Sequence, residues 1–121
     1  MEMGIPAYFS IKAMTAIKKD GWLTKFDAIW ARHSMEHVLN PFETLLEFKQ
    51  LLVDGGVIYI EVPSPNTACL HEINPNHYSV LGDRMWQSLF EKVGLKVELT
   101  GHLDITTLAG PDKYFWYILR K

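Results

Sequence analysis

The sequence has one cysteine, Cys69, in 121 residues. That excludes an internal disulfide, and the missing second thiol excludes a zinc cluster built on cysteine pairs; a reducing, cytoplasmic setting is expected. Basic runs are absent as well, none being longer than the pair Lys18-Lys19 in a chain of formal charge -2, so the footprint of a nonspecific nucleic-acid binder is missing. No apolar stretch approaches the roughly 20 residues that span a bilayer. The opening Met1-Glu2-Met3-Gly4 lacks the basic-then-apolar pattern of an export signal, and no association with a membrane is expected. There is no internal repeat and no low-complexity tract. What remains is a 48% hydrophobic chain, long enough to bury one core, so residues 1–121 are expected to form a single domain.

Local patterns suggest the elements. Phe9, Ala13, Ala16 and Ile17 fall near one helical face, with Ser10 as a cap and Asp20-Gly21 as a stop, which predicts a helical N-terminal segment within 1–25. The run FDAIWA at 26–31 is short and apolar throughout, as in a strand covered on both faces. Asn40-Pro41-Phe42-Glu43 has the form of a helix start, with Asn capping and Pro at the first helical position. The stripe Phe42, Leu45, Leu46, Phe48, Leu51 and Leu52 predicts the buried side of that helix, and Asp54-Gly55-Gly56 its end. VIYIEVP at 57–63 is then a second strand, which completes a βαβ unit and sets the class as α/β. Residues 64–82 predict a long loop. Met85, Trp86, Leu89, Phe90 and Val93 predict a helix stopped by Gly94. Leu95, Val97 and Leu99 predict one face of a half-wet strand, and 113–121 a last, aromatic strand. Trp30, Trp86, Trp116 and Tyr117 are expected in the core because each lies within an apolar run.

FDAIWARHSMEHVLNPFETLLEFKQLLVDGGVIYIEVPSP, followed by HYSVLGDRMWQSLFEKVGLKVE, strongly resembles the second half of class I S-adenosylmethionine-dependent methyltransferases. Shared features are the Phe-Asp strand, the Glu-His pair, the Asn-Pro helix start, the leucine-rich helix, the Gly-Gly turn and a strand closed by proline. The resemblance runs from Phe26 to the C-terminus. It implies a truncated Rossmann-like methyltransferase fold, a mostly parallel sheet with a late antiparallel strand and flanking helices. It also implies S-adenosylmethionine as cofactor and methyl transfer to an O, N or C acceptor. The family's first strand and glycine-rich cofactor loop have no counterpart, since Gly4 and Gly21 stand alone in residues 1–25. The alternative outcome is therefore a noncatalytic remnant that dimerises or binds a partner. In the family the first strand pairs with the strand matching 26–31, so this edge is expected to be covered by the N-terminal segment, by a second copy in a homodimer or by a partner chain.

The stretch RHSMEHVLNP at 32–41 carries the chemistry. His33, Glu36 and His37 share one side of any helical turn, a spacing that suits zinc or manganese. His-x-x-Glu-His is also a zinc-peptidase signature, but the helix that chemistry needs is cut short by Pro41. Some related methyltransferases bind a metal through the same Glu-His pair and a later histidine, so the resemblance implies Glu36, His37 and His77 as a divalent-metal set. The plainer alternative is a polar turn in which Glu36 accepts hydrogen bonds. Ligands of open α/β sheets lie beyond the carboxyl ends of the strands, where the resemblance places Ala31, Arg32 and His33 against the cofactor. His33, with an ordinary pKa near 6.5, is the candidate base for an acceptor hydroxyl or amine. Tyr78 in the long loop is the candidate substrate contact, and Arg32 either holds an anionic group or is a solvated charge.

Overall fold

The computed structural model describes residues 13–121. In chain order these form α1 (Ala13–Lys19), β1 (Phe26–Arg32), α2 (Pro41–Leu51), β2 (Leu52–Pro63), α3 (Asp83–Val93), β3 (Lys96–Thr107) and β4 (Gly110–Arg120). Single 3-10 turns lie at Met35–His37 and His71–Ile73. The helix expected from Phe9 is present from Ala13 on; Ser10 and the rest of its start lie outside the described residues.

The four strands form one sheet in the order β1-β2-β4-β3. β1 and β2 are parallel, and β4 is antiparallel to both of its neighbours, so β3 runs in the direction of β1 and β2. This is the late part of a Rossmann-like methyltransferase sheet, as the sequence suggests. On one face, Ile58, Ile60, Val62, Tyr117 and Leu119 are fully buried against Leu45 of α2 and Trp86 and Phe90 of α3. Asn40 caps α2, its Oδ1 accepting from the Glu43 N–H at 3.1 Å, with Pro41 at the first position. Gly94 ends α3 at φ 85°, a left-handed conformation that costs side-chain-bearing residues about 1–2 kcal/mol.

Several expectations fail for tertiary reasons. α2 ends at Leu51, and Leu52 already pairs with Phe26 in the sheet. The next matched pair is Ala28 with Val57, so Val53–Gly56 bulges out of β2 and does not terminate the helix. Phe42, Leu46 and Met85 lie on exposed shoulders of their helices. Leu99 is 59% exposed because a bulge falls between Val97 and Leu99; one extra residue reverses the alternation of faces. Trp30 is 70% exposed, stacked on Tyr59 with ring centroids 4.2 Å apart. Those rings lie on the sheet face opposite the helices, and among the described residues no element covers them. No described helix is long and apolar enough to cross a membrane.

Candidate functional site

β1 ends at Arg32, and His33 follows at φ 51°. The chain still holds its register there, the His33 N–H donating to the Glu61 carbonyl at 2.9 Å. A residue other than glycine in the left-handed region is strained, and the turn directs the imidazole back across the end of β2. His33 Nε2 lies 2.6 Å from Glu61 Oε2. The same carboxylate accepts from Arg32 Nε at 2.9 Å and, through Oε1, from the Tyr59 hydroxyl at 2.8 Å. Glu61 is buried, and burial alone would favour its neutral form. Its bonds from Tyr59 and His33 and the charges of His33 and Arg32 outweigh that and hold its pKa below the ordinary 4.5. At neutral pH Glu61 is thus an ionised acceptor, so Nε2 is the His33 nitrogen that donates and Nδ1 the one outside that bond. Tyr59, desolvated and bonded to a carboxylate, is pushed up to about 12 and stays a hydroxyl donor. Tyr114 packs against the imidazole, edge to face, at 4.4 Å.

Glu36 departs from the polar-turn expectation. It is 1% exposed, and neither carboxylate oxygen accepts a hydrogen bond. His33 Nδ1 and His37 Nε2 each lie 3.7 Å from its oxygens. Burial raises its pKa above 4.5, against the lowering influence of His33, His37 and its own backbone. Its backbone carbonyl is well used, accepting from both the Tyr78 and Ser79 N–H groups. The 64–82 loop is thereby tied to the end of β1.

The other candidates are placed as follows. Ala31 is buried, leaving only its backbone for a ligand, and Arg32 is committed to Glu61. Tyr78 is 63% exposed above the turn. His37 Nδ1 donates to the Asn76 carbonyl and His77 Nδ1 to that of His71, both at 2.8 Å. Their rings meet edge to face at 4.8 Å. Glu36, His37 and His77 are neighbours, but the one described trio of donor side chains close enough to hold a metal ion lies elsewhere, at Cys69, His71 and Asp112. Glu61 was not singled out from sequence, although a lone carboxylate in VIYIEVP, two residues before the closing proline, is the signal that marks it. Asp112 carried no such signal.

The profile described as Methyltransferase domain matches residues 8–100. The chain belongs to this methyltransferase family. No curated protein sequence matches it, but solved structures share its fold, that of class I S-adenosylmethionine-dependent methyltransferases. A Bacillus halodurans protein assigned as a methyltransferase superposes with a TM-score of 0.68 at 12% identity, over 82% of this chain and 71% of its own. A SAM-dependent methyltransferase from Archaeoglobus fulgidus gives 0.64 at 17% identity, over 89% and 65%. The 4+2 cyclase SpnF gives 0.61 at 12% identity, over 82% of this chain and 50% of its own. The methyltransferase domain described here thus spans between half and about seven-tenths of these structures, and a cyclase among them shows that this fold hosts more than one reaction.

Proposed function

We propose that this methyltransferase domain uses S-adenosylmethionine at the carboxyl ends of β1 and β2, with His33 as the base that takes a proton from an O, N or C acceptor. The observation that carries the proposal is the His33–Glu61 contact of 2.6 Å at the end of β1. The residues present suit the reacting side of that cofactor, because the buried, ionised carboxylate of Glu61 favours a sulfonium cation. Among the described residues no strand followed by a glycine-rich loop precedes β1. Ala31, through its backbone, together with Arg32 and His33 would line the cofactor, and Tyr78 the acceptor. When bound, the cofactor supplies a methyl group already activated on sulfur. The protein's own tasks are alignment and proton removal. Glu61 fixes the ring and its tautomer, and Nδ1 receives the proton. Glu61 then stabilises the imidazolium across the Nε2 bond. Calorimetry with S-adenosylhomocysteine tests the proposal: micromolar binding that weakens in His33→Ala supports it, and no heat at millimolar ligand overturns it for the chain on its own.

A second reading is a noncatalytic module that docks through the edge of β1. It is favoured by the exposed Trp30 and by the outer edge of β1, which has no strand partner among the described residues. An unpaired edge beside apolar surface is a template for another chain. A second copy meets that need by pairing β1 with β1 across a two-fold axis.

A further inference from the structure

Beyond the His33 site, the first half of the 64–82 loop folds onto β4 around a second polar cluster. Asp112 is buried and its side chain is 1% exposed. Its two oxygens are unequally engaged. Oδ1 accepts from the Thr67 hydroxyl at 2.9 Å, from the Lys113 N–H at 2.9 Å and from His71 Nε2 at 3.0 Å. Oδ2 lies 2.9 Å from His71 Nε2, and the Tyr114 hydroxyl also interacts with this carboxylate. The Cys69 thiol completes the trio, and the three donor atoms all lie within 4.8 Å of one another. Burial opposes ionisation of Asp112, but the bonds from His71, Thr67 and Lys113 outweigh it and keep it an anion.

We propose that Cys69, His71 and Asp112 form a site for a thiophilic divalent cation of the zinc type, which locks the 64–82 loop onto β4. Zinc bonds of about 2.0–2.3 Å to sulfur, nitrogen and oxygen in a tetrahedron set neighbouring ligand atoms roughly 3.5 Å apart. The His71–Asp112 pair is already closer than that, at 2.9 Å, and no pair in the trio is more than 4.8 Å apart, so an ion needs a contraction of little more than about 1 Å at the widest pair. The cation takes the place of the hydrogen now shared between His71 Nε2 and Asp112 Oδ2. His71 would bind through Nε2 with a hydrogen on Nδ1, and the Cys69 thiol would lose its proton to solvent, so binding releases protons. Three protein ligands leave a fourth position for water. Support around the site is already built: Thr67 orients the carboxylate, and the His71 carbonyl is held by His77, the kind of outer contact that fixes metal ligands.

The backbone brings the loop to the strand independently of these side chains. Ser64 and Ala68 N–H groups donate to the Lys113 and Pro111 carbonyls at 2.9 and 3.2 Å. Gly110, at φ 124°, makes room for Ala68, whose Cβ would be 2.8 Å from a Cβ at position 110. A side chain there would push away the segment that carries Cys69. The ligands are thus preorganised by main-chain contacts, which lowers the cost of gathering them. The site neighbours the His33 centre through Tyr114, which touches both the His33 and His71 rings.

Cobalt(II) titration of the purified metal-free protein tests the proposal. Cys69 is the only thiol in the chain, so a sulfur-to-cobalt charge-transfer band in the near ultraviolet reports this residue alone. The expected result is that band together with tetrahedral visible bands, saturating at one equivalent and displaced by zinc. Cys69→Ser should lose the near-ultraviolet band, Asp112→Asn should weaken binding at least tenfold, and His37→Ala should change neither. Absence of the band in the unsubstituted protein at excess cobalt overturns the proposal, as does a band that survives Cys69→Ser. The measurement on the unsubstituted protein stands even if a variant fails to fold.

Discussion

Glu36 is the point where the fold carries a cost, and Glu36→Gln should expose it. The side chain is 1% exposed with no hydrogen bond to either oxygen. A buried polar group left without a partner costs about 1–3 kcal/mol. Glutamine keeps the shape, removes the charge and offers N–H donors to the His33 and His37 nitrogens now 3.7 Å away. The variant should therefore be more stable at pH 7 by about 2 kcal/mol. With a urea slope of ~2 kcal/mol/M, the unfolding midpoint rises by about 1 M. The pH dependence fixes the cause. The folded pKa is raised above 4.5, so in the folded state the protonated acid is favoured. The native protein has its full share of this stability below pH 4.5 and loses it as pH rises through the folded value. The advantage of glutamine should accordingly shrink toward zero below pH 4.5. Urea unfolding followed by circular dichroism at pH 7 and pH 4 measures both quantities. A glutamine variant that is less stable at pH 7, or equally favoured at both pH values, would refute the reasoning.

Glu61→Gln should act in the opposite sense. The folded pKa of Glu61 is lowered from 4.5, so its contribution is present above pH 4.5 and is lost as pH falls through the lower folded value. The substitution should cost about 2 kcal/mol at pH 7, in line with hydrogen bonds to a charged group. It should also flatten the acid limb of stability measured by urea unfolding between pH 2 and 6. If β1 pairs with a second copy, light scattering should give twice 13.9 kDa and Trp30→Glu should return the monomer mass; a monomer for the unsubstituted chain would remove the dimer.

What was legible in the sequence was mostly local. The Asn40-Pro41 cap depends on contacts within one turn, and the Gly94 stop on a single left-handed residue. The βαβ order followed from hydrophobic runs of strand length, and the resemblance from Phe26 onward supplied the rest. Trp30 was misplaced because an apolar run does not reveal whether its second face is covered. Leu99 was misplaced because a bulge is set by the partner strand and not by alternation. At the site, His33 was visible from its place after a strand, whereas its partner Glu61 is 28 residues away. Asp112 is 41 residues from His71, and the topology that joins them cannot be read from spacing.

The position of β4 has a bearing on how the molecule is made. β2 and β3 never touch as strands; both wait for Gly110–Arg120 to slide between them. Tyr117 and Leu119 fill the core from that late segment. Without β4, Trp86 and Phe90 lack the Tyr117 and Leu119 wall of the core they belong to. Closure is a non-local event and should be slow for a chain of this size. A ribosome pause before residue 110, or removal of the last strand, should yield a chaperone-dependent intermediate and not a smaller stable protein.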